Sequence, residues 1–143
     1  MKQDIKQKEN NSIEDITIND QKIILLNKLK ELLGKKVHVY IDRPLGSTHP
    51  TENSIIYKVN YGYIKEYKSL DNEYVDTYVL GIDEPIKEFE GIVYAIVIRE
   101  DDIEDKLIVT PENTEYSNKE IEKQISFQEK YFKHKIINKW FNF

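Results

Sequence analysis

Residues 91–111 read GIVYAIVIREDDIEDKLIVTP. Two runs rich in Val and Ile, 91–99 and 106–111, flank a short acidic stretch. Each run is too short for an average helix and has the composition of a strand. The residues between them, Asp101, Asp102, Glu104 and Asp105, read as a hairpin turn. Further strand signals lie upstream in YVDTYVLG (74–81), SIIYKV (54–59) and KVHVYID (36–42). In the last of these Val37, Val39 and Ile41 share one face while His38 and Tyr40 take the other. No helical pattern separates these strands, so the chain reads as α+β, mainly β: an antiparallel sheet or small barrel rather than a doubly wound fold.

Helices belong at the two ends. INDQKIILLNKLKELLG (18–34) places Leu25, Leu29, Leu32 and Leu33 on one face, with Asp20 as its cap and Gly34 as its left-handed stop. Ser117 and Glu120 form an S-x-x-E capping box for a second helix with Ile121, Ile125 and Phe132 on one stripe. Residues 1–15 are polar and are expected to form a flexible segment, with 16–143 as a single domain.

Composition narrows the functions. The 143 residues carry a net charge of −5, which leaves no basic surplus for a nucleic-acid backbone. The absence of cysteine excludes thiol chemistry. Neither a signal peptide nor a membrane-spanning stretch is apparent, so a cytoplasmic protein with no membrane partner is expected.

The acidic residues are unevenly spread. SLDNEYVDTYVL (69–80) packs Asp71, Glu73 and Asp76 into six positions. Carboxylates without histidine or cysteine suit hard cations such as Mg²⁺, Mn²⁺ or Ca²⁺. An EF-hand fails, because Asp76 stands where glycine is needed and Ile82 where glutamate is needed. Alone, this stretch and the 101–105 turn each read as solvated surface. If both turns meet at one end of a small sheet, they become a site for metal-assisted phosphoryl chemistry.

V-N-Y-G-Y-I at 59–64, D-x-E-x-x-D at 71–76, D-D-x-E-D-K-L at 101–107 and F-Q-E-K-Y-F-K at 127–133 together resemble soluble inorganic pyrophosphatase of the Mg²⁺-dependent barrel type. The resemblance covers roughly residues 54–133. It implies an OB-like five-stranded barrel with an N-terminal and a C-terminal helix packed outside. It also implies Asp71 and Asp76 as metal ligands, with Asp101 or Asp102 together with Asp105 as a second set. Glu73 takes the place of the residue that handles the attacking water, and Tyr61 that of a tyrosine beside the metals. Lys106, Lys133 and Tyr131 (beside Phe132) take phosphate-binding places. The N-terminal third departs from the family: His38 and Tyr40 replace a lysine and a glutamate, and Arg43, with His49, is left as the phosphate grip. Two readings follow. One is Mg²⁺-dependent hydrolysis of pyrophosphate by metal-activated water, with Mn²⁺ as a second cation. The other is a catalytically weak relative binding a phosphate compound or a protein partner. Homo-oligomer formation stays open.

Overall fold

Every second residue of the apolar strands faces one shared interior. Val37, Val39, Ile64, Val75, Val79, Val93, Ile96, Leu107 and Val109 form a single buried cluster. The computed structural model describes residues 3–138, with side chains from residue 18 onward. Its elements in order are α1 (Gln3–Leu32), β1 (Lys36–Arg43), β2 (Asn60–Lys68), β3 (Tyr74–Val79), β4 (Glu88–Arg99), β5 (Lys106–Thr110), α2 (Asn118–Glu129) and β6 (His134–Asn138).

The strands run in the order β1-β2-β3-β5-β4, and a β1–β4 pairing closes them into a five-stranded barrel. This is the expected mainly β, OB-like architecture with one helix from each end of the chain. It is mixed rather than wholly antiparallel, because β3 and β5 run parallel, with Thr77 opposite Leu107. The twelve-residue β4 closes the barrel by serving three neighbours. Its first half pairs with β1 and its second half with β6, while β5 lies along its other edge. β5 (KLIVT) is buried at all five positions because both faces are covered. Leu107 and Val109 face the lumen, in one buried cluster with Leu25 and Leu29 of α1. Ile108 faces out, onto a second cluster containing Ile121 and Ile125 of α2.

Several local expectations need correction. Asp20 lies inside α1 rather than capping it. Of the segment 1–15 expected to be flexible, residues 3–15 belong to α1, which begins at Gln3 rather than near residue 18, and residues 1–2 lie outside the described residues. Gly34 does adopt the left-handed conformation, at φ +84°. The apolar run 54–59 is not a strand; it makes one isolated bridge, Thr48 to Ile56, and its Tyr57 is buried as a plug. The capping box forms as read, with Glu120 N donating to Ser117 Oγ and Ser117 N donating to Glu120 Oε1. However, α2 ends at Glu129, so Phe132 lies beyond the helix.

The N-Y-G-Y motif is explained residue by residue. Asn60 is fully buried, accepts from Leu45 N and Ile86 N, and donates to Glu84 O, tying two loops to the barrel. Gly62 lies opposite Ile41 where β1 is irregular, and a Cβ there would overlap the Tyr40 carbonyl. Tyr61 and Tyr63 point to the outer face, Tyr61 beneath α2 and Tyr63 stacked between Tyr40 and Tyr74. Among the described residues no helix is long and apolar enough to cross a membrane.

Gly62→Ala should cost about 3 kcal/mol or more, since backbone has to move to admit the methyl group; urea unfolding measures this. A pH effect is expected at His134, whose two ring nitrogens face Glu122 at 2.7 Å and the Phe132 carbonyl at 2.8 Å. Burial alone would lower its pKa, but these two acceptors raise it above the usual 6.5. The proton is therefore held more tightly in the folded chain. The contribution is complete below 6.5 and is lost as pH rises through the folded value. Thermal melts of wild type and His134→Gln should differ more below 6.5 than well above it.

Candidate active site

Lys106 opens β5, and its side chain is 3% exposed. The parallel register that sets Thr77 opposite Leu107 brings Asp76 beside it. Glu104, two residues earlier on extended backbone, projects to the same side. The Lys106 ammonium therefore donates to Asp76 Oδ2 at 2.8 Å and to Glu104 Oε1 at 3.0 Å. Burial would lower its pKa, but the Tyr61 hydroxyl and the two carboxylates reverse that and raise it. It stays a cation. Tyr61 lies beneath, its ring centre 5.9 Å from Lys106 Nζ and 5.6 Å from the Arg43 guanidinium.

A second buried cation sits alongside. Arg99, at the end of β4, donates through Nε and NH2 to Glu129, whose side chain is 0% exposed. Its NH1 reaches Asp102 at 3.5 Å, and its plane lies 3.6 Å from the Phe132 ring centre. A chain of hydrogen bonds runs from here under the floor. Tyr78 donates to Glu129 at 2.6 Å, and Gln128 donates to Tyr78 at 2.7 Å. Tyr57 donates to Gln128 Oε1 at 2.9 Å, and Arg43 donates to Tyr57 at 2.5 Å.

Lys106, Arg99, Tyr61 and Arg43 border a cavity of about 650 Å³ on the outer face of the barrel, beside α2. Arg43, His49, Lys106, Tyr61, Tyr131, Asp76 and Asp102, all singled out from the sequence, border it. Arg99, Glu104 and Gln128 border it as well and were not singled out. Glu104 had a usable signal, its two-residue spacing from Lys106. Arg99 and Gln128 had none, because their roles depend on α2 docking against β4.

The remaining candidates lie elsewhere. Asp71 and Glu73 are exposed and do not border the cavity. Asp71 accepts from Glu73 N at 3.0 Å, beside Asn72 at φ +69°, so its carboxylate serves its own turn. Asp105 alternates away from Lys106; burial raises its pKa, and its Oδ1 accepts from Arg99 N. Asp101 accepts from Lys133 N on the surface, and the Lys133 side chain is likewise outside the cavity. His38 pairs with Glu88 at 2.6 Å instead.

Two consequences follow for chemistry. Among the described residues, no three His, Asp or Glu side chains are placed to hold one metal ion. A resident multi-metal cluster does not fit this arrangement. His49 is also not a cation. Its Nδ1 accepts from the Thr51 and Glu52 amides at 3.1 and 3.2 Å, which puts the proton on Nε2. Burial and Arg43 lower its pKa.

Removing one partner of the Arg99–Glu129 pair strands a buried charge. Glu129→Ala should lose about 3–5 kcal/mol, whereas Arg99→Met combined with Glu129→Leu should lose much less, as urea unfolding will show.

No family model and no curated protein matches the chain. Solved structures do match. The inorganic pyrophosphatase from Ehrlichia chaffeensis superposes with a TM-score of 0.57 at 15% identity, covering 74% of this chain and 87% of that one. That from Coxiella burnetii gives 0.54 at 17%, covering 74% and 86%. The Helicobacter pylori enzyme gives 0.53 at 18%, covering 75% and 86%. This chain has the fold of the inorganic pyrophosphatases.

Proposed function

We propose that the cavity between the barrel's outer face and the end of α2 binds a compound with linked phosphate groups, pyrophosphate being the smallest, together with a divalent cation carried on those phosphates. Arg43 is the observation on which this rests. It borders the cavity, stacks on Tyr57 and Tyr61, and has no carboxylate within 4 Å among the described residues. Its remaining N–H donors suit phosphate oxygens in a forked geometry.

Charge balance argues for the accompanying cation. Lys106 is shared by Asp76 and Glu104, and Arg99 by Glu129 and Asp102. With Arg43 and the cavity-lining Glu52 added, three cations face five carboxylates. A bare pyrophosphate anion would meet no positive surplus. Mg²⁺ is commonly held by one or two carboxylates with substrate phosphates completing its shell. Asp76 and Glu104, close enough to share one ammonium, suit that arrangement, with Mn²⁺ as a substitute.

Hydrolysis of the bound phosphoanhydride is the second reading. It is favoured by the pyrophosphatase fold and by Asp76, Asp102 and Glu104 bordering one cavity. Glu73, outside the cavity, is not assigned a role in it.

Calorimetric titration of pyrophosphate with and without Mg²⁺ tests the proposal. Binding should weaken at least about tenfold when Mg²⁺ is withheld. Arg43→Ala should cost about 10- to 100-fold, the usual worth of a charged hydrogen bond. Affinity indifferent to both changes would remove the proposal. Phosphate release from the Mg²⁺-containing samples separates hydrolase from binding protein.

A further inference from the structure

The cavity is larger, and its far wall more aromatic, than linked phosphates alone require. A volume of about 650 Å³ falls in the range of pockets that enclose a drug-sized organic ligand. The charged groups come from the barrel and its immediate margin, apart from Glu52 on the loop between β1 and β2. The other wall comes from the loop between β1 and β2, with Ile55 and His49, and from the residues after α2, Tyr131 and Phe132.

The two aromatic residues are differently committed. The Arg99 guanidinium covers the Phe132 ring at 3.6 Å. Tyr131, by contrast, is 59% exposed, the most open large apolar side chain among the described residues. Its ring has one neighbouring cation, Lys130 Nζ at 5.2 Å, and its hydroxyl has no hydrogen-bond partner among the described residues. An unpacked aromatic ring at a cavity mouth, beside a guanidinium-covered one, offers a flat face to a flat ligand. His49 adds a reader. With Nδ1 occupied by two amides, its Nε2–H has no partner among the described residues, and the ring is neutral. A neutral donor suits a neutral acceptor such as a base carbonyl or ring nitrogen better than it suits a phosphate oxygen.

We infer that the ligand carries an aromatic base beyond its phosphates: the site takes a nucleoside diphosphate, its phosphates toward Arg43 and Lys106 and its base against Tyr131 within reach of His49. This rests on the phosphate reading above and specifies its ligand. Stacking of a base on an aromatic side chain is sequence-tolerant, so Tyr131 selects for the presence of a base and His49 bears on which base.

The test is parallel calorimetric titration of the full chain with magnesium ADP and with magnesium pyrophosphate. Magnesium ADP should bind about tenfold tighter or more, the usual worth of one stacked base. Tyr131→Phe should keep that preference and Tyr131→Ala should abolish it. Tyr131 is exposed, so both variants should melt with wild type, which thermal denaturation verifies. Equal affinity of wild type for the two ligands would overturn the inference while leaving the phosphate reading in place. So would a preference that survives Tyr131→Ala, or loss of affinity for both ligands in Tyr131→Phe, which would assign the hydroxyl to phosphate. Failure of both ligands to bind wild type would overturn both readings.

Discussion

The buried pair of Arg99 and Glu129 is the constraint on which the site depends. Both side chains have left water, and each is compensated only by the other and by a few fixed partners. Apolar packing of Ile121 and Ile125 brings α2 to the barrel, but such contacts are non-directional and tolerate rotation. The ion pair does not. It fixes the end of β4, the last turn of α2 and the approach of the chain to β6. From Glu129 the chain through Tyr78, Gln128 and Tyr57 carries that alignment to Arg43, so the half-buried cation is positioned by the fully buried pair. Each link has its donor and acceptor already matched, which is the condition under which a buried polar network rigidifies rather than destabilises.

Lys106 imposes the second constraint. By satisfying Asp76 and Glu104 at once, it keeps two carboxylates together that would otherwise repel. The unevenness of SLDNEYVDTYVL thereby resolves into two separate arrangements. Asp76 is neutralised across the sheet, whereas Asp71 is spent on its own turn and Glu73 remains in solvent. Local turn chemistry and parallel strand register, rather than a common cation, account for where these carboxylates point.

Much of the barrel was legible because β1, β3, β4 and β5 are marked by β-branched runs whose alternation survives in the folded chain. β2 was misplaced by a few residues, since SIIYKV has the composition of a strand but uses Tyr57 to plug the outer cluster. β6 was missed because its pairing with β4 replaces the periodicity that a free-standing strand would show. At the site, Arg43, Tyr61, Asp76 and Lys106 were readable from motif order and resemblance. The closure that selects Asp102 over Asp101 and recruits Glu104 and Arg99 was not, because it depends on which strand meets which. The tautomer of His49 was beyond any sequence reading, being set by two backbone amides of its own loop.

The loop between β1 and β2 folds as a small hairpin of its own. Gly46 N donates to Tyr57 O, Tyr57 N to Ser47 O and His49 N to Ile55 O. Its base is anchored by buried Tyr57 and Asn60, while residues 51–54 at its tip are exposed. The tip therefore contributes little to the packing of the barrel. Substitutions in the tip can accumulate with little penalty to folding and still reshape one wall of the cavity. A lineage could keep the same charged floor while a few hairpin residues drift, so divergence among such proteins should concentrate there rather than in the strands.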